Sequence, residues 1–233
     1  MKICECHDED YRHELKYYIS IEEACLLRKR LFQLLYPDPH SDEFGKYNIA
    51  SVYFDNMDNR SLKASLLGLS RRKKYRIRAY NGDDSFISLE KKEKRGDLSR
   101  KIACRIDRDL YDNIMYGNYE PLLQLHTPPA EEFYYELRCN GYRPKTVVAY
   151  ERQVFLHPVS DVRITLDTKI RASTTSLDIF DGAGTFAPVL PQHLILLEVK
   201  YDHFLPDYIA ALLPTNAAPR LSNSKYMFGR SYR

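Results

Sequence analysis

In the stretch RRKKYRIRAY (71–80), Lys74, Arg76 and Arg78 alternate with Tyr75, Ile77 and Ala79. A period of two gives a strand one charged and one apolar face. Asn81-Gly82-Asp83-Asp84 then offers turn chemistry, and a second strand over 86–94 sets Glu90, Lys92 and Lys94 against Ile87 and Leu89. Like charges packed so closely repel unless an anion lies between them. The hairpin therefore reads as a polyanion site. The plainer alternative is an exposed basic edge strand that deters aggregation.

Other segments repeat the pattern. Arg12, Glu14, Lys16 and Tyr18 share one parity in YRHELKYYI, as do Lys101, Ala103 and Arg105 in the strand predicted over 99–106. Tyr150, Arg152 and Val154 share a face of KTVVAYERQVFL. In VRITLDTKIR, Arg163, Thr165, Asp167, Lys169 and Arg171 lie opposite Val162, Ile164, Leu166 and Ile170. In LILLEVKY, Leu196, Glu198 and Lys200 lie opposite Ile195, Leu197 and Val199. An open antiparallel sheet would show such faces to water. Closing the sheet into a barrel would instead gather them in one lumen, whose occupant must be a dense anion such as a chain of phosphates. The carboxylates Glu14, Glu90, Asp167 and Glu198 would then serve a divalent metal bridging phosphate oxygens. For Glu198 the alternative is a buried pair with Lys200 or an Arg. No Walker A or GxGxxG sequence occurs, and the seven His are scattered.

The elements that must position these residues follow from local signals. Ser20 with Glu23 makes a capping box for a helix running to about Tyr36, with Ile21, Ala24, Leu27, Leu31, Leu34 and Leu35 as its apolar stripe. Tyr47 to Asp55 reads as a buried strand, and 61–67 as a short helix ended by Gly68. Asp107 caps a helix that stops before Gly117, and further helices are predicted over 129–139, around 206–213 and from about Ser222. Cys25 and Cys104 read as small buried apolar residues, and Cys4-Glu5-Cys6-His7 as a loose segment with reduced thiols within a flexible stretch over 1–10. A single domain over 1–233 is the economical reading.

Composition narrows the function. With 35 Lys and Arg against 32 Asp and Glu, the net charge is only +3, so the positive charge is local; this favours a compact anionic ligand over nucleic acid. No stretch of about 20 apolar residues and no secretory leader is present, so a cytoplasmic protein without direct membrane insertion is expected.

The motifs ELKY around Lys16, YFDN at 53–56, YRIRAY at 75–80, LEKKEKRG at 89–96, YERQVF at 150–155, RITLDT at 163–168, LLEVKY at 196–201 and SKY at 224–226 come in an order that resembles the VTC (vacuolar transporter chaperone) domain, a branch of the CYTH-like triphosphate tunnel metalloenzymes. The resemblance covers Arg12 to Gly229. It implies an α+β fold in which eight antiparallel strands close into a β-barrel with helices packed outside. It also implies phosphate binding by Lys16, Arg76, Arg78, Lys92, Lys101, Arg152, Arg163, Lys200 and Lys225, with Glu198 as metal ligand for Mn²⁺ or Mg²⁺. Lys101 is the looser match. Arg12 stands where the wider superfamily has the first Glu of its ExExK signature, and Ser222 where eukaryotic members place a basic residue. The implied reaction moves the γ-phosphoryl of ATP onto a polyphosphate chain, with Arg76, Arg78, Arg152 and Arg163 as its clamp. The same tunnel with water as acceptor would be a triphosphatase, and without turnover a polyphosphate-binding module. Eukaryotic members carry a phosphate-sensing SPX domain and membrane helices. Neither is seen in this sequence, so a separate membrane partner is expected to collect product.

Overall fold

In the computed structural model, residues 6–8, 10–182, 184–213 and 224–231 are described. Eight strands, all paired antiparallel, close in a ring. They are β1 (Arg12–Ser20), β2 (Lys46–Asp55), β3 (Arg71–Tyr80), β4 (Asp83–Arg95), β5 (Leu98–Ile106), β6 (Arg143–His157), β7 (Val162–Ser173) and β8 (Leu194–Tyr201). The neighbour order is β1-β5-β4-β3-β2-β6-β7-β8, and β8 pairs back onto β1. Short strands at Cys6–Asp8, Tyr36–Pro37 and Ala187–Pro188 attach to β5, β6 and β7. Cys6–Asp8 thus form a strand within the stretch read as loose, while Cys4 and Glu5 lie outside the described residues.

The seam between β1 and β5 is short, pairing Arg12 with Ser99 and His13 with Leu98, and Cys6–Asp8 pairs the middle of β5. Along each strand side chains alternate between the inside and the outside of the ring. The outside is apolar and covered by helices. Helices α3 (Arg108–Tyr116) and α4 (Pro128–Arg138) lay Tyr111, Ile114, Phe133 and Leu137 on Val52, Tyr75, Ile77 and Leu89. On the other side, α1 (Ile21–Leu34) and α5 (Asp207–Ala210) cover Phe155, Ile164, Leu197 and Val199 with Ala24, Leu27, Leu31 and Ile209. Each fully buried side chain of this kind adds about 1.5–3 kcal/mol of hydrophobic stabilisation. The short α2 (Arg60–Leu66) starts on Asp55, which accepts the Ser61 and Leu62 amides at 2.9 and 3.0 Å. Among the described residues no helix is long and apolar enough to cross a membrane.

Local signals place most boundaries. Ser20 and Glu23 form the reciprocal capping box, with bonds of 3.2 and 2.7 Å. The β3–β4 hairpin turns on Asn81 and Gly82, both left-handed at φ 54° and 70°. Three readings are corrected. The α1 stripe is narrower than expected, since Ile21 and Leu34 are exposed. Cys25 is exposed rather than buried, because it lies on the solvent side of the same helix. In β7 the alternation breaks: the β6–β7 register shifts after Thr168 and Lys169 takes φ 50°. This bulge turns Lys169 and Arg171 to the outside and buries Ile170 and Ala172.

One helix packs on the inward-facing side chains. In α6 (Lys225–Ser231), Tyr226 stacks on Tyr53 with centroids 5.3 Å apart and donates to Asp55 at 2.6 Å. Gly229 permits this approach, because a Cβ there would stand 2.9 Å from Thr146 Oγ1 and 2.9 Å from Val148 Cγ2. The expected helix start at Ser222 lies outside the described residues. Gly229→Val is expected to lift α6 from β6 and cost roughly 1–3 kcal/mol of stability. A thermal melt checks this, and an unchanged midpoint would rule out the close contact as a constraint.

Candidate functional site

All eight strands contribute to one cavity within the ring. Among the described residues its wall carries six Arg, seven Lys and a single carboxylate, Glu198. The ten residues singled out from the sequence all lie on it: Lys16, Arg76, Arg78, Lys92, Lys101, Arg152, Arg163, Glu198, Lys200 and Lys225. They meet because each occupies the inward parity of its strand, or, for Lys225, the first turn of α6.

The other three expected carboxylates stand behind this wall as counter-ions. Glu90 accepts from Arg76 Nε at 2.7 Å and pairs with Arg76 Nη2 at 2.5 Å. Asp167, fully buried, binds Arg152 at 2.6 and 2.8 Å and Lys225 at 2.5 Å. Glu14 accepts from Lys92 at 2.6 and 2.9 Å and pairs with Lys16 at 3.1 Å. Burial works against ionisation of Glu14 and Glu90, but Lys16 and Lys92 for the first, and Arg76 and Arg78 for the second, outweigh it and hold both below the usual carboxylate range. Burial likewise opposes the Lys16 ammonium, and Glu14 and Glu198 reverse this, raising it to about 12. A four-carboxylate metal cluster is therefore not what the fold builds. Among the described residues no group of three or more His, Cys, Asp or Glu could hold a metal ion.

Glu198 differs from the other three. Its nearest ammonium nitrogens, on Lys200, Lys16 and Lys225, are 3.4, 3.8 and 3.9 Å away. These lysines, set against the burial that would raise it, keep its carboxyl ionised. The alternative reading, a buried pair with Lys200, is thus present in the ligand-free protein; because the same carboxylate also faces the cavity, it would suit a divalent cation brought in with an anionic ligand. It does not fit an all-protein metal cage.

Two of the arginines are fixed mainly by hydroxyls. Arg78 donates to Ser51 Oγ at 3.1 Å and Tyr150 Oη at 3.0 Å. Arg163 donates to Tyr47 Oη at 3.0 Å and pairs with Asp38 at a longer 3.4 Å, which offsets part of its charge. Arg12 lines the cavity too and pairs with Asp202 at 2.6 Å.

Lys74 and Lys94, already on the charged face of the hairpin, join the wall together with Arg72. The alternation that marks Arg76, Arg78 and Lys92, followed to the strand ends, marks these as well. Lys74 donates to Ser224 Oγ at 2.6 Å. Burial first, then repulsion from Lys16 and Arg72, pushes the Lys74 ammonium down to about 7. Lys92, Lys94 and Lys200 are also lowered, burial leading in each.

The VTC domain family matches residues 11–232. A putative adenylyl cyclase from Hippeastrum, described as having a dominant triphosphatase activity, superposes with a TM-score of 0.54 at 15% identity, covering 94% of this chain and 95% of that one. A putative adenylate cyclase from Bacillus halodurans gives a TM-score of 0.47 at 12% identity, over 88% and 86% of the two chains. The shared fold rests on the first of these. No curated protein matches the chain.

Lys74 makes the ligand-free protein pH-sensitive with a definite sign. An unfolded chain holds that proton up to about 10.5, whereas the folded one releases it near 7. Between these values the unfolded state binds more protons, so stability rises with pH. Below 7 the repulsion is fully present. Thermal melts from pH 7 to 9 are expected to show a rising midpoint in the native protein and a flatter profile in Lys74→Met. Identical profiles would overturn the assignment.

Proposed function

Because the chain belongs to the VTC domain family, we propose that it is a metal-dependent polyphosphate polymerase that uses ATP as phosphoryl donor. The observation that carries this reading is the cavity wall of thirteen Arg and Lys around one carboxylate. Such a wall suits a dense, unbranched anion that can touch every strand of the ring. In the proposed reaction a terminal oxygen of the polyphosphate chain bonds to the γ-phosphorus of ATP. The bond from that phosphorus to the β–γ bridging oxygen breaks, and ADP leaves with the electron pair.

Phosphoryl transfer of this kind needs positioning and charge neutralisation more than covalent help. Arg76, Arg78, Arg152 and Arg163 would clamp non-bridging oxygens, a task that planar guanidinium groups perform bidentately. Glu90 and Asp167 fix two of those guanidinium planes from behind. Lys16, Lys92, Lys101, Lys200 and Lys225 would hold the chain as point charges. Glu198 would carry Mn²⁺ or Mg²⁺, whose charge offsets that of the phosphates when bound. The acceptor oxygen is already anionic, so no general base is required. This agrees with the absence of His from the described wall. The proposal includes a cytoplasmic setting and a separate membrane partner that collects the chain.

Hydrolysis is the second reading, and the triphosphatase activity described for the Hippeastrum protein of the same fold favours it. Incubation with ATP across a Mn²⁺ titration separates the two. Polymer supports the polymerase, free phosphate alone assigns hydrolysis, and intact ATP beside bound tripolyphosphate assigns a binding module. Glu198→Gln keeps the shape and removes the charge. It is expected to fold, to retain tripolyphosphate binding, and to lose metal-dependent turnover by roughly a hundredfold or more. Unchanged turnover in this variant would sink the metal role.

A further inference from the structure

A second concavity adjoins the first. It lies between α2, the segment leading into β3, and the end of β4, and its volume of about 600 Å³ is that of an ordinary ligand cleft. Arg72 and Lys94 line both spaces, so the groove continues the cavity at these two residues. Its wall holds seven Arg and Lys against two carboxylates, Asp58 and Glu93. Glu93 is already engaged by Lys91 at 2.6 Å and Arg100 at 2.8 Å, and Lys73 by Glu132 at 2.8 Å and Glu136 at 2.6 Å, which still leaves the other six cations against Asp58. Strand register adds to the excess of charge: Arg71 stands opposite Arg95, and Arg72 opposite Lys94. Like charges directly across a strand pair destabilise a sheet. The Arg72–Lys94 pair faces the cavity and the Arg71–Arg95 pair the other side of the hairpin, yet all four residues line the groove, so an anion that leaves the cavity past Arg72 and Lys94 meets Arg71 and Arg95 next.

Resting on the phosphate-handling reading above, we propose that this groove is an outer binding track for inorganic polyphosphate, which holds the part of a long chain that extends out of the ring. Tripolyphosphate is short enough to be held within the ring and would not need the groove. Chain length is therefore the variable that distinguishes the two sites. The exposed groove residues Arg60, Lys63 and Arg95 are the ones that a long chain meets beyond Arg72 and Lys94.

The test measures binding of tripolyphosphate and of long-chain polyphosphate to the native protein and to Arg60→Ala/Lys63→Ala/Arg95→Ala, each across a salt series. The native protein is expected to bind the long chain more tightly. The triple substitution is expected to weaken long-chain binding about tenfold and to flatten its salt dependence by about two logarithmic units per decade, as loss of three cation–phosphate contacts does for polyanions. Tripolyphosphate affinity should stay within about twofold in the same variant. Lys63→Arg, which keeps the charge, should retain long-chain affinity. Equal loss for both ligands, or no loss for either, overturns the outer track, as does displacement of the long chain by a single-stranded oligonucleotide at equal charge concentration. A native protein that binds neither phosphate ligand would instead overturn the underlying function, and the track with it.

Discussion

Concentrated positive charge is the constraint on which the rest of this structure depends. Thirteen Arg and Lys side chains face one cavity, and at an effective dielectric constant of about 20 two like charges 4 Å apart repel by about 4 kcal/mol. The fold manages this with three buried carboxylates, Glu14, Glu90 and Asp167, which are 3%, 1% and 0% exposed. They sit behind the cations, where they offset charge without taking space from a ligand. In the free protein burial, and then repulsion from Lys16 and Arg72, lowers the basicity of Lys74 as well. Bound phosphate would relieve the remaining repulsion, and this links ligand affinity to the stability of the ring.

The ring and its helices follow from that constraint. Part of the inner face buries apolar residues such as Ile49, Val148, Ile170 and Leu196 with Tyr226, but its cationic remainder cannot serve as a core, so the opposite face is the one that helices cover. Helices α1, α3, α4 and α5 provide the cover. Helix α6 packs on the inner face because Gly229 lets it approach Thr146 and Val148. Its docking brings Lys225 to Asp167 and Ser224 to Lys74. The last helix thus completes the wall, and the same Asp55 that starts α2 anchors it through Tyr226.

The pairing of acids with cations also sorts the proposed site into groups. Arg76 and Arg152 are held by carboxylates and presented at fixed angles, while Arg78 is steered by hydroxyls and Arg163 by a hydroxyl with Asp38 at 3.4 Å. Glu198 alone faces the cavity with its nearest cations no closer than 3.4 Å. Lys200, Lys16 and Lys225 hold it ionised, and its place on the cavity wall, where a ligand can reach it, sets it apart from the other three.

The sequence by itself determined which residues share a strand face, because alternation is a property of the backbone and needs no partner. It thereby marked Arg76, Arg78, Arg152, Arg163, Lys16, Lys200 and Glu198, together with the capping box and the hairpin turn. Only the tertiary structure decided which carboxylates are counter-ions and which one faces the cavity, since that depends on side chains from strands far apart in the chain, such as Glu14 and Lys92. It also decided where the alternation fails: the bulge at Lys169 sends two basic residues outward, and no local signal marks it. The continuity of the groove with the cavity at Arg72 and Lys94 likewise arises from how α2 sits against β3 and β4. Packing between distant elements sets that arrangement, and residue spacing does not record it.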